Sequence, residues 1–237
     1  NHTRVFHTRP SREVVREAVI KQFQSGEGAI QFAPEAIARS NADLLTTAEL
    51  RSEFIAIYCD QGREEAGRWL QLNHPQITGA ELEHRLSRYG LNPCGEILGA
   101  DFHCNLAEIH LNQIDPADHE GQADAFRAAG LAVACLLNHR FEVERYRQSR
   151  AWDPIVGVSF TGLFDFFVHA FGTPWLTWWE EGRPDSEAGL AFKQQEAAYL
   201  SRWKTAVNEA VWDYCDRHGL RRPNRCTTVQ PAGTKSL

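Results

Sequence analysis

Apolar residues recur at helical spacing along much of the chain, and short apolar runs bounded by turn residues lie between these stretches. Spacings of three and four residues predict helices, whereas the short runs predict strands. The predicted helices are 11–24, 46–58, 63–72, 79–89, 122–146, 163–171 and 186–218, and the predicted strands are 29–32, 104–111, 155–160 and 226–230. Because strands alternate with helices, the sequence indicates an α/β chain.

Local signals support several of these boundaries. Glycines follow the helix 11–24, and Thr46 with Glu49 has the spacing of a capping box. Asp185 or Ser186 can cap the last long helix. The helix 122–146 has an almost wholly apolar centre, so we expect it to be buried between layers.

Composition narrows the class of protein. The 237 residues carry a net charge of −6, which argues against a nucleic-acid or membrane-surface partner. The six cysteines lack the spacing of a disulfide scaffold, which favours a reducing, cytoplasmic setting. The chain contains no methionine, so we expect it to be an internal part of a longer protein, with 1–237 forming one partial domain.

The segment 92–97, Asn-Pro-Cys-Gly-Glu-Ile, is the most informative stretch of the sequence. Proline and glycine on either side of Cys94 predict a tight loop that holds the thiol at its tip. Asn92 and Glu96 lie two residues away on either side, so thiol, carboxylate and amide can converge. A thiol can carry a radical or attack, a carboxylate can take a proton, and an amide can orient hydroxyl groups.

This segment, together with Cys104-Asn105-Leu106, resembles the finger loop of ribonucleotide reductases, most closely the adenosylcobalamin-dependent monomeric class. Two later stretches, 157–163 and 230–236, also resemble that family and follow in the expected order. The interval of ten residues between Cys94 and Cys104 favours this class. Relatives with a metal-radical subunit usually space the second thiol further away, and the glycyl-radical class lacks the glutamate. The resemblance implies part of a ten-stranded α/β barrel with the Cys94 loop at its centre.

The resemblance also implies a role for each of these residues. Cys94 would carry a transient thiyl radical that removes the 3′-hydrogen of the ribose. Glu96 would take the 3′-hydroxyl proton, and Asn92 would hydrogen-bond the sugar. Cys104 would be one of two thiols that end as a disulfide, with its partner upstream of this sequence. Taken alone, Cys94 would more commonly be a buried structural thiol, an alternative that the flanking proline and glycine weaken. Without Cys94 two residues away, Glu96 would be read as a solvated charge of the loop.

The segment 231–236, Pro-Ala-Gly-Thr-Lys-Ser, resembles the family's phosphate loop. A glycine-containing turn after a strand can direct backbone N–H groups towards a phosphate, and the side chains of Thr234, Lys235 and Ser236 can add contacts around Gly233. The motif lacks the spacing of a Walker loop, so an ordinary β-turn is the alternative.

The implied function is reduction of ribonucleotides, which we expect to be triphosphates, to 2′-deoxyribonucleotides. The expected cofactor is adenosylcobalamin, the expected reductant is a dithiol such as thioredoxin, and a deoxynucleotide effector would bind outside this chain. The alternative is a non-catalytic piece that only binds nucleotides or assists assembly. Cys215, His218 and Cys226 raise the question of zinc, but their spacing matches none of the usual structural zinc patterns.

Overall fold

The computed structural model describes residues 3–26, 28–92 and 94–231. Their contacts group them into two compact units. The first unit runs to Phe102 and also contains Val143–Asp153, and the second contains His103–Glu142 and the chain from Pro154 onward. No helix within these described ranges is both long and apolar enough to span a membrane. The prediction of a single partial domain over 1–237 stays a prediction.

The described ranges are mostly helical. The helices are α1 (Arg12–Ser25), α2 (Ala33–Ser40), α3 (Ala48–Gln61), α4 (Arg63–Asn73), α5 (Gly79–Leu86), α6 (His119–Cys135), α7 (Glu144–Trp152), α8 (Leu163–Phe171), α9 (Thr173–Glu180) and α10 (Glu187–Arg217). The strands are β1 (Thr3–Phe6), β2 (Ala29–Phe32), β3 (Gly90–Leu91), β4 (Leu98–Gly99), β5 (Asn105–His110) and β6 (Val156–Thr161). Short 3-10 turns follow β5 and α6, at Leu111–Gln113 and Leu136–Asn138.

The first unit packs four helices around one apolar cluster. Strands β1 and β2 pair in parallel, with α1 as the connection between them. Helices α2 to α5 enclose the cluster, whose largest fully buried side chains are Ile37, Leu45, Phe54, Leu70 and Leu86. Strands β3 and β4 form an antiparallel hairpin that follows α5 directly. This hairpin carries the Cys94 loop, and its strand β4 packs against helix α2 of the cluster.

Helix α1 shows both the strength and the limit of the local signals. It begins after its N-cap Ser11 and ends at Gly26, whose φ of 70° lies in the left-handed region. The predicted helix is therefore confirmed. Of its apolar stripe only Ala18 is buried, and Phe23 is 92% exposed.

The second unit is built on a parallel pair with a helical layer. Strands β5 and β6 pair in register from Asn105 opposite Val156 to His110 opposite Thr161. Thr227 joins β6 through a parallel bridge at Val158, where a longer strand over 226–230 was predicted. Helices α6 and α10 pack along each other, and the core between helices and strands is rich in aromatic rings: Phe126, Phe166, Phe167, Trp175, Trp178 and Trp203.

The predicted ten-stranded α/β barrel is wrong. The strands of the described residues form three separate two-stranded sheets, and no closed barrel is present among them. A barrel needs each strand to pair on both sides, whereas these strands are two to six residues long and form only two-stranded sheets among the described residues. Most of the apolar positions serve helix packing instead, because they recur at helical rather than alternating spacing.

The predicted long helix 122–146 is also wrong. Helix α6 ends at Cys135, a 3-10 turn follows, and the chain resumes as α7 only at Glu144. Asn138 in the 3-10 turn donates a hydrogen bond to the hydroxyl of Tyr214 on α10. This long-range contact stabilises the end of α6 at a point where the sequence has no glycine or proline to mark it.

Candidate functional site

The Cys94 loop is a tight turn closed by Asn92. The backbone N–H of Asn92 donates to the carbonyl of Ile97 at 3.2 Å, and the N–H of Gly95 donates to the carbonyl of Asn92 at 3.0 Å. The side-chain Oδ1 of Asn92 also accepts the N–H of Ile97 at 3.0 Å. Gly95 has a φ of 82°, which an L side chain adopts only with strain. These contacts explain why asparagine and glycine stand at these positions.

The residues of the turn differ in their exposure to solvent. Cys94 is exposed, whereas Glu96 is partly buried and Ile97 is buried. The side chain of Ile97 is thus buried on the C-terminal side of the turn, while the thiol stays accessible to a molecule from outside. Because Oδ1 of Asn92 is used by the turn, its amide NH₂ is the group that remains for a ligand.

Cys104 lies in the second unit, one residue before β5, and is partly buried. The next residue, Asn105, is buried and donates through Nδ2 to the carbonyl of Ile155 at 2.9 Å. Its Oδ1 lies 3.2 Å from Nδ1 of His103. The backbone on the C-terminal side of Cys104 is therefore fixed by the Asn105 side chain, and not only by strand pairing.

The other cysteines divide by burial. Cys215 and Cys226 are both buried, and burial raises the pKa of each thiol, that of Cys226 to about 12. Both are therefore inert, protonated thiols at neutral pH. Cys135 is exposed at the last residue of α6, although the stretch around it is apolar in sequence. The described residues contain no group of three or more side chains that could hold a metal ion.

A row of polar side chains that the sequence analysis missed crosses the parallel strands of the second unit. Glu108 on β5 is the register partner of Ser159 on β6. Gln230 donates from its backbone to Oγ of Ser159 at 3.1 Å and from its side chain to Glu108 at 3.2 Å. The only sequence signal was a polar residue inside each of two apolar runs.

The predicted phosphate loop follows this row directly. Its residues Gly233, Thr234, Lys235 and Ser236 lie outside the described part of the chain, which ends at Pro231. Gln230, the residue before Pro231, is hydrogen-bonded to β6 through its backbone and to β5 through its side chain.

Comparison with models of protein families, with curated proteins and with solved structures found no match to this chain. The similarity to ribonucleotide reductases therefore rests on the motifs themselves and on the chemistry that their residues can perform.

Proposed function

We propose that this chain carries the cysteine loop of an adenosylcobalamin-dependent ribonucleotide reductase, which reduces ribonucleoside triphosphates to 2′-deoxyribonucleotides. The observation that carries the proposal is the hairpin between β3 and β4, which presents an exposed Cys94 between Asn92 and a partly buried Glu96. A thiol that has to meet a ribose from solution needs this exposure, and a proton acceptor two residues away needs a fixed turn.

In this proposal, three residues of the loop take part in the reaction. The thiyl radical of Cys94 takes the hydrogen atom from C3′ of the ribose, and Glu96 takes the proton of the 3′-hydroxyl. The 2′-hydroxyl then leaves as water, and two thiols give up two electrons and two protons as they form a disulfide. The amide of Asn92 donates a hydrogen bond to the sugar, and the hydrogen atom finally returns from Cys94 to C3′.

Cys104 supplies one of the two reducing thiols, and a dithiol protein such as thioredoxin reduces the resulting disulfide. Its partial burial and its place next to the fixed Asn105 suit a thiol that must react repeatedly in one geometry. The triphosphate is held by the segment 232–236 after Gln230, where Lys235 contributes a positive charge. A deoxynucleotide effector binds outside this chain.

The exposed thiol fits the proposed cofactor. When bound, adenosylcobalamin supplies the radical by homolysis of its cobalt–carbon bond. Hydrogen-atom exchange with a thiol requires near-attack distance, and an exposed Sγ at the tip of a turn can be approached that closely. None of the described residues is assigned to the corrin ring. The expected setting is the cytoplasm, where reducing conditions keep both reactive thiols available.

Substitution of Cys94 tests the proposal. In the complete protein, Cys94→Ser should abolish reduction, because an O–H bond is too strong for a seryl group to replace the thiol in hydrogen-atom transfer. Ribonucleotide affinity should stay close to that of the parent protein. The matched control is Cys135→Ser, which changes another exposed cysteine that has no part in the mechanism and should leave kcat unchanged.

A normal kcat in Cys94→Ser would overturn the proposal. Ribonucleotide binding with no reduction in the parent protein, when cofactor and dithiol are supplied, would favour a chain that only binds nucleotides.

A further inference from the structure

A buried polar network in the first unit contacts the base of the Cys94 hairpin and has no part in the mechanism above. Its centre is Arg88, whose side chain is fully buried. The guanidinium donates to Oδ1 of Asn41 at 3.2 Å and to the carbonyl of Trp152 at 3.0 Å, and it forms an ion pair with Asp153 at 3.3 Å. Arg88 therefore connects α2 with the end of α7.

His84 connects this network with the hairpin. Its Nδ1 accepts a hydrogen bond from Nε of Arg88 at 3.3 Å, which requires the neutral ring with its proton on Nε2. That Nε2–H lies 2.9 Å from Oγ of Ser149 on α7 and 3.2 Å from the carbonyl of Ala100. Burial and the nearby Arg88 lower the pKa of His84 to about 4, so the ring is neutral at physiological pH.

Ala100 is the residue at which the hairpin ends. It follows β4 directly, and Arg88 lies two residues before the start of β3. The hydroxyl of Ser149 donates to the Ala100 carbonyl at 2.6 Å, so that one carbonyl is held from two elements. The Ala100 end of this hairpin, which has only two residues in each strand, is thus held by His84 of α5 and Ser149 of α7. At the other end, the carbonyl of Arg88 accepts a hydrogen bond from Oγ of Ser40 on α2 at 2.9 Å. Strand pairing over two residues alone could not hold the loop in one place.

We propose that His84 and Ser149 are positioning residues for the Cys94 loop, which they hold through the carbonyl of Ala100. The effect on catalysis rests on the proposed function, whereas the effect on the loop does not. A thiol displaced by about an ångström from near-attack distance loses rate steeply, so a loop released at its base should lower kcat more than it raises KM.

Amide hydrogen exchange measures how readily the turn opens, independently of any activity. The reporters are the N–H groups of Asn92 and Ile97, which close the turn, and the amides of α3 report the stability of the unit as a whole. His84→Ala and Ser149→Ala should each raise exchange at the reporters by about tenfold, the usual effect of losing one hydrogen bond. Exchange in α3 should rise much less.

His84→Gln is the rescue variant, because its amide can both donate towards Ala100 and accept from Arg88. It should restore exchange at Asn92 and Ile97 at least partly. The control is His74→Ala, which removes a histidine of the same unit that lies far from the hairpin in sequence and makes none of these contacts. Its exchange and kcat should equal those of the parent protein.

The outcomes separate the two proposals. Unchanged exchange at Asn92 and Ile97 in both alanine variants, or an equal rise throughout α3, would overturn the positioning role. A selective rise with rescue by His84→Gln would support it, even if the protein reduced no ribonucleotide and the proposed function failed. In an active reductase, a selective rise with kcat unchanged would show that the loop does not need this support for catalysis.

Discussion

Asn92 accepts the N–H of Ile97 through its side-chain Oδ1 at 3.0 Å, so the residue expected to bind the sugar also closes the turn that carries Cys94. The two roles use different atoms. The carbonyl oxygen maintains the loop, and the amide NH₂ is the donor for a ligand. A substitution can therefore remove one role and keep the other.

We predict that Asn92→Asp keeps the loop and loses the donor, whereas Asn92→Ala loses both. Exchange of the Ile97 N–H should stay close to the parent rate in Asn92→Asp and rise by about tenfold in Asn92→Ala. In the complete protein, kcat/KM for ribonucleotide reduction should fall by roughly tenfold or more in both variants. Full kcat/KM in Asn92→Asp would show that the amide NH₂ does not contact the substrate.

The packing of α6 on α10 gives a prediction about stability alone. A Cβ at Gly130 on α6 would lie 3.2 Å from the carbonyl oxygen of Val207 on α10 and 3.4 Å from Cβ of Ala210. Gly130→Val should therefore lower the free energy of unfolding by about 1–3 kcal/mol, because the helices would have to move apart. Gly79→Val is the control, since a Cβ there meets nothing within 4 Å, and its effect should stay within about 0.5 kcal/mol.

Chemical denaturation of both variants provides the measurement. Equal losses of stability in Gly130→Val and Gly79→Val would mean that the close approach of the two helices at Gly130 does not limit the size of the residue.

The elements that could be predicted from the sequence are those whose ends depend on neighbouring residues. Helix α8 was predicted with its observed bounds, because Gly162 and Gly172 flank it, and the strand 29–32 was also confirmed. The N-cap of α3 was missed by one residue: Thr47, not Thr46, accepts the N–H of Leu50. Adjacent threonines offer the same capping chemistry, and only the packing of the helix decides between them.

What could not be predicted depends on residues far apart in the chain. His84 and Ser149 are 65 positions apart, and no spacing rule connects them. The barrel was inferred from the resemblance of short motifs, and such motifs contain information about a loop rather than about the pairing of strands. The loop itself was accessible from sequence because Asn92, Gly95 and Ile97 form it by contacts within a few residues.

The neutral state of His84 predicts a pH dependence of stability. Its pKa is lowered from 6.5 to about 4 in the folded protein, first by burial and then by Arg88, with a smaller contribution from Arg85. The hydrogen bond to the Ala100 carbonyl and, less strongly, the charge of Asp101 oppose this shift. The unfolded chain therefore binds a proton between these values and the folded protein does not. The stability that His84 contributes is complete above about pH 6.5 and is lost as the pH falls towards 4.

We expect His84→Gln to lose less stability than the parent protein between pH 7 and about 4.5, by on the order of 1–2 kcal/mol once partial exposure is allowed for. Asp153, which forms an ion pair with Arg88, is present in both proteins, so the difference between the two curves isolates the histidine. Denaturation curves at a series of pH values provide the measurement. Parallel losses of stability in both proteins would contradict a neutral, partly buried His84.

The source of the radical decides the class of enzyme, and the exposure of Cys94 bears on it. A radical generated in a separate metal-containing subunit would require that subunit to dock on this protein, whereas a cofactor needs only access to the thiol. The exposed turn provides this access. We predict that the complete protein reduces ribonucleotides when it receives adenosylcobalamin and a dithiol, with no second subunit.

Cys94→Ala should still bind the cobalamin with unchanged affinity, because the thiol gives up a hydrogen atom in the reaction and contributes little to binding. Titration of cobalamin absorbance measures the affinity, and product analysis measures the reduction. Activity without cobalamin, or activity that requires an added diiron protein, would overturn the class assignment and leave the chemistry of Cys94, Glu96 and Asn92 as it stands.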